Sequence, residues 1–224
     1  DITLYNDTLI LVGGEKLLKW NKLPLAGEPP DMLLNGQIGT VKIGEATNES
    51  LGITGVAMDD KYFYLGLSTD EIYVWDGFPE DNSEPVQILK NIRVRNLHSD
   101  GDYLVASNGD SHTVTVYRVA DILTNPTKNV IGGTGINGAG GVYLGNGQLF
   151  VADTGFARVH IWNDVEDAIR GNSADAFLGN QSSTSYPQIG QNKLFLPKFI
   201  TYDGNYLWVG EVKFSNRLLR FSHN

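Results

Sequence analysis

Short apolar runs broken by Gly, Asn and Asp turns fill this chain, and the clearest copy is Gly147 to Asn163, GQLFVADTGFARVHIWN. It predicts two strands, Leu149–Ala152 and Arg158–Trp162, joined by a polar turn holding Asp153, Thr154 and Gly155. The second strand has counterparts at Lys16–Trp20, Glu71–Trp75, Thr113–Tyr117 and Arg217–Phe221, each ending on an aromatic residue. The first recurs as Leu9–Val12, Phe63–Gly66, Tyr103–Ala106 and Leu207–Gly210. A tight turn precedes every copy: Asn6-Asp7, Asp59-Asp60, Asp100-Gly101, Asn146-Gly147 and Asp203-Gly204. The Asn-Gly and Asp-Gly pairs supply the positive φ angles that two-residue hairpins need.

Another run lies before each turn, at Ile2–Tyr5, Ile53–Met58, Ile92–His98, Gly141–Leu144 and Phe199–Tyr202. A fourth follows the aromatic strand at Met32–Leu34, Val86–Leu89, Asn129–Ile131 and Ala176–Leu178. The unit is four antiparallel strands recurring at roughly 40–60 residues, the period of propeller blades. The fold predicted is all-β, a β-propeller of four-stranded blades in one domain, with blades at roughly 1–36, 52–90, 91–133, 138–180 and 196–224. The last unit stops before a fourth strand, so a larger parent chain or a neighbouring subunit is expected to complete it. The segment Asn163–Gly171 predicts one helical turn, and the connections Gly36–Gly52 and Asn180–Leu196 are long enough to act as binding loops at a rim.

Composition narrows the function. Apolar residues at 41% support a sizeable core, and a net charge of −9 without a Lys/Arg run argues against nucleic acid. No apolar run reaches the roughly 18–20 residues of a membrane span. With no cysteine, neither a disulfide frame nor a thiolate metal site can form. The start at Asp1 suggests a processed chain or an excised fragment. Sequons at Asn6, Asn48 and Asn180 suit a secreted protein, extracellular or in the cell envelope.

These residues resemble the NHL-repeat β-propellers of secreted bacterial and archaeal type. The resemblance rests on Gly141-Val142, Leu149–Gly155, Arg158–Trp162 and Phe177-Leu178-Gly179 in the fourth unit, and on Trp20-Asn21, Pro24 and Pro30–Gln37 in the first. It implies a structural role for Asp153 and Arg158, with Glu211 and Arg217 as the fifth unit's counterpart. Such carboxylate–guanidinium pairs are expected to be bidentate and to pin the hairpin.

Candidate chemistry is sparse. The inner strands are mostly Ile, Val, Thr, Ala and Gly, which cannot hold a divalent metal; no cofactor is expected, and no motif supports Ca²⁺. The Asp81–Glu84 loop is acidic but lacks EF-hand spacing, and Gly133, Gly135 and Gly138 satisfy G-x-G-x-x-G without the helix a phosphate site needs. His160 falls in a strand column shared with Leu18, Tyr73, Thr115 and Leu219, His112 in a loop and His223 at the end, so nucleophilic catalysis finds no support. One inner run departs: IRVRNLH places Arg95, Asn96 and His98 as candidate binding residues on a polar channel wall. The competing reading is a register shift or bulge that sends them to a rim. The function expected is a non-enzymatic scaffold binding a protein or glycan partner through rim loops. The alternatives are a metal-dependent hydrolase or lyase with a channel site, and a structural subunit closed by strand exchange.

Overall fold

A computed structural model describes residues 1–43, 52–80 and 82–222. The Asn48 sequon, Asp81 of the acidic loop and His223 lie outside the described residues. Among the described residues the fold is a β-propeller built from five blade sheets, the first four with four strands and the last with three. Blade one is β1 (Ile2–Tyr5), β2 (Thr8–Gly13), β3 (Lys16–Trp20) and β4 (Met32–Asn35), followed by a small hairpin, β5 (Gln37–Ile38) and β6 (Val41–Lys42). Blade two is β7 (Ile53–Met58), β8 (Tyr62–Leu67), β9 (Glu71–Asp76) and β10 (Gln87–Lys90). Blade three is β11 (Asn96–Ser99), β12 (Tyr103–Asn108), β13 (Thr113–Arg118) and β14 (Asn129–Gly132). Blade four is β15 (Ala139–Gly145), β16 (Gln148–Asp153), β17 (Arg158–Trp162) and β18 (Ala176–Gly179), with α1 (Val165–Ile169) between the last two. Blade five is β19 (Pro197–Tyr202), β20 (Tyr206–Glu211) and β21 (Leu218–Ser222).

The chain divides into two compact units, residues 1–102 with 118–126, and residues 103–117 with 127–224. In the first, Ile10, Val12 and Leu17 of blade one pack with Val56, Phe63, Leu65 and Trp75 of blade two. In the second, Val105, Val114 and Val116 of blade three join Val142, Leu149, Val151 and Trp162 of blade four. Phe150 and Val159 then meet Leu207 and Val209 of blade five. Among the described residues no helix is long and apolar enough to cross a membrane.

The aromatic residue that ends the third strand has a specific duty. The indole Nε1–H donates to Glu28 O from Trp20 (3.3 Å), to Ser83 O from Trp75 (3.3 Å) and to Asn172 O from Trp162 (3.0 Å). Each bond ties the loop that follows back onto the strand, which satisfies a donor that burial would otherwise orphan. The Asn after the Trp is held as well: Asn21 N–H donates to Asp31 Oδ2 and Asn163 N–H to Asp175 Oδ2, both at 2.8 Å. α1 occupies the predicted helical turn and starts on Asp164, whose Oδ1 accepts from Glu166 N–H at 2.8 Å.

One predicted strand is corrected. The inner strand of blade three begins at Asn96 and not at Ile92. Residues 92–95 instead connect blades two and three. Ile92 and Val94 are buried and Arg93 and Arg95 exposed. Val94 fits against Gly55 and Gly66 of blade two, where an added Cβ would come within 2.7 and 2.8 Å of its Cγ1. Arg95 therefore stands on a connection, outside the inner strand.

Candidate functional site

Asn96 and His98 do lie on β11, where they are half-buried. The Asn96 amide donates to Asp1 Oδ1 at 2.8 Å. The same carboxylate accepts from the backbone N–H groups of Ile2 (3.0 Å), Val56 (3.1 Å) and Leu97 (3.3 Å), while the Asp1 amine donates to Val12 O at 2.9 Å. Asn96 is thus one strut of a hydrogen-bonded knot. His98 is packed deeply enough that desolvation pushes its pKa down to about 4, so its imidazole is neutral at pH 7. Among the described residues no three His, Asp or Glu side chains are grouped as metal ligands.

A buried carboxylate that sequence reasoning passed over sits at the acidic turn of blade two. Asp59 accepts from Tyr64 Oη (2.8 Å), Ser99 Oγ (2.6 Å) and the N–H groups of Lys61 and Tyr62 (both 2.9 Å). Four donors satisfy it, so it anchors the turn. The same turn position holds Asp100 and Asp203 in blades three and five, so residue type alone did not mark it.

The two structural pairs differ. In blade five the pair is bidentate: Arg217 Nε donates to Glu211 Oε2 at 2.8 Å and Nη2 to Oε1 at 3.0 Å. Arg217 also donates to Gly190 O and Lys193 O, and Phe195 N–H reaches Glu211 Oε1 at 2.7 Å. Burial works to raise the Glu211 carboxyl, yet these hydrogen bonds outweigh it and hold it below the usual range.

In blade four the expected bidentate pair is absent because His160 is interposed. Its Nε2 lies 2.9 Å from Asp153 Oδ2 and 3.2 Å from Arg158 Nε, while Arg158 Nε is 3.8 Å from the same carboxylate oxygen. One ring nitrogen cannot donate and accept at once. Facing a carboxylate, Nε2 carries the proton and donates to Asp153. Burial, with Arg158 nearby, outweighs Asp153 and lowers the His160 pKa, so the ring is neutral. The other Asp153 oxygen accepts from Asn137 N–H (3.1 Å) and Phe156 N–H (3.2 Å). Arg158, 6% exposed, is displaced onto the Phe177 ring, 4.3 Å from its centroid, and donates through Nη2 to Gly135 O at 3.0 Å.

This group forms one wall of a cavity of about 300 Å³ between β14 and the outer strands of blade four. Trp162 stacks on His160 at 5.5 Å and 11°, and Phe177 meets His160 edge-on at 5.0 Å. The sequence signal for His160 was its spacing, two residues after Arg158 on one face of a strand.

No family model and no curated protein matches the sequence. Solved structures do. The chain aligns over 97% of its length with 72% of a chain in a nidogen/laminin complex (TM-score 0.64, 14% identity) and over 96% with 58% of a chain in a mitotic checkpoint complex (0.60, 14%). It also aligns over 99% with 57% of the computationally designed Ika8 protein (0.58, 10%). The likeness is one of fold alone.

Proposed function

We propose that this chain is a non-enzymatic propeller scaffold of the NHL type that binds a protein partner. The observation that carries the reading is the uncovered face of blade one. Strand register places Ile2, Leu11, Leu18 and Leu33 in one cross-strand row and Leu4, Leu9 and Trp20 in the next. Ile2, Leu4 and Leu33 are 53–56% exposed. The opposite face, with Ile10, Val12 and Leu17, is buried against blade two. A sheet apolar on both faces and covered on one is a docking surface. It offers almost no hydrogen-bonding groups for a glycan, so a protein fits it better. Covering it would stabilise a complex by on the order of 1 kcal/mol per large side chain. The propeller chains it resembles in the nidogen/laminin and mitotic checkpoint structures belong to protein complexes, which agrees with this reading.

The occupant this face suits is another apolar sheet, and a second copy carries one. On blade five Phe199 and Leu218 flank Gly210 in register and are 59 and 68% exposed, beside Trp208. An extracellular or envelope setting belongs to the same proposal. It rests on the exposed turn residue Asn6, since the Asn180 amide is buried and donates to Ser185 O at 3.2 Å. Sedimentation velocity over a concentration series tests the interface. Self-association that Leu4→Lys and Leu33→Lys abolish, with the thermal midpoint unmoved, supports it. A monomer at every concentration overturns it.

A further inference from the structure

The cavity beside β17 holds a cation that its own carboxylate does not use up. Arg217 in blade five is the internal comparison, since both of its terminal nitrogens and Nε are engaged by Glu211, Gly190 O and Lys193 O. Arg158 occupies the same position of the repeat, but His160 has taken the hydrogen-bonding site on Asp153 Oδ2. Among the described residues the Arg158 guanidinium has Gly135 O on Nη2 and the His160–Asp153 pair near Nε. Both Nη1 hydrogens and one on Nη2 have no partner there. The guanidinium belongs to a residue only 6% exposed, and its free edge lines the cavity, where water or a ligand supplies the missing acceptors.

The rest of the cavity states what that something is. Its walls are Trp162 and Phe177 with Ile131, Ile136 and Ala174, so the body of a ligand must be flat and apolar. Neutral His160 adds no second charge, and Asp153 stands behind the lining, with one oxygen on two backbone N–H groups and the other on His160. About 300 Å³ sits at the small end of ligand pockets, enough for a one- or two-ring molecule. We infer that this cavity is a binding site for a small aromatic carboxylate, its ring between the apolar walls and its carboxylate bidentate on the outer edge of Arg158. A planar carboxylate matches the guanidinium fork, and a neutral ring of the same shape leaves the three donors unmet. This site is independent of the blade-one face.

The test uses benzoate and 1-naphthoate as probes, with benzamide and 1-naphthamide as neutral controls. The readout is the ¹H–¹⁵N resonance of the Trp162 indole, assigned by its loss in Trp162→Phe. The expected result is a saturable shift with the carboxylates at an affinity about tenfold or more above the amides, a difference of about 1.4 kcal/mol. Arg158→Met should remove that preference, Ala174→Phe should block both classes, and Arg217→Met in blade five should change neither. Should Arg158→Met fail to fold, the carboxylate–amide comparison and the Ala174→Phe block still decide the matter. No saturable shift, equal binding of acid and amide, or binding that survives Ala174→Phe overturns the assignment.

Discussion

Replacing Asp153 by Ala separates the two parts this carboxylate plays, and the size of the effect follows from its surroundings. Asp153 is fully buried, with one oxygen on the Asn137 and Phe156 N–H groups and the other on His160. Those two N–H groups are part-buried at a turn, so water can partly replace the lost acceptor, and their share is about 1 kcal/mol. The larger share is Arg158. Its burial already pushes the guanidinium pKa down against the opposing pull of Asp153. Removing one partner of a buried pair costs about 3–5 kcal/mol; with a separation of 3.8 Å in place of a bidentate contact, the lower end applies. Asp153→Ala is therefore expected to lose about 3–4 kcal/mol in urea unfolding at pH 7, with an unchanged denaturant slope. Asp153→Asn keeps the turn acceptor and should lose about 2 kcal/mol. The double variant Asp153→Ala with Arg158→Leu should be more stable than Asp153→Ala alone, since no unpaired charge stays buried. A loss below about 1 kcal/mol for Asp153→Ala, or a double variant equal to the sum of its singles, refutes the reasoning.

Packing at Gly66 and the burial of two histidines lead to two further outcomes. A Cβ on Gly66 would sit 2.8–3.2 Å from three carbons of the Val94 side chain, so Gly66→Ala should cost about 1–3 kcal/mol by overpacking, and adding Val94→Ala should recover most of it in thermal melts. His98 and His160 both have folded pKa values below the ordinary 6.5, so their neutral forms contribute stability that is complete above pH 6.5 and lost as pH falls below it, for His98 down to about 4. For His98 the shift corresponds to on the order of 3 kcal/mol. Unfolding free energies measured from pH 7 to 4 should fall along this limb, and His98→Gln should flatten it; a curve already flat in the parent protein contradicts it.

The strands were legible where two signals agreed. β8, β9, β16, β17 and β20 each have an apolar run and a turn of known chemistry at one end, which fixes register as well as extent. Blade three failed on periodicity alone. In Ile92–Arg95 apolar and basic residues alternate with the period of a strand, but Val94 meets a crevice formed by Gly55 and Gly66. Alternation reports which side chains are buried; it does not report a hydrogen-bonded neighbour. The small residues that receive Val94 lie some thirty to forty positions earlier in the chain, so nothing local could have identified them. The pair Glu211–Arg217 was visible because carboxylate and cation bracket one turn. His160 was hidden by the alignment that revealed the repeat, since its column also holds Leu, Tyr and Thr.

That column is where the blades diverge in chemistry while keeping one backbone. In blade two the position of Arg158 is Glu71, and Tyr73 donates its hydroxyl to Glu71 Oε2 at 3.0 Å, closing the pair on itself. In blade five Leu219 offers no side-chain hydrogen bond, and Arg217 keeps its bidentate contact with Glu211. In blade four an imidazole stands there, close enough to the carboxylate to compete with the guanidinium and, being neutral, unable to repel it. The consequence is a cation turned from a structural tie toward a cavity. The strands, the turn and the indole clamp of Trp162 are shared with blades that lack this arrangement, so they cannot be its cause. One side chain at one position of the repeat accounts for it.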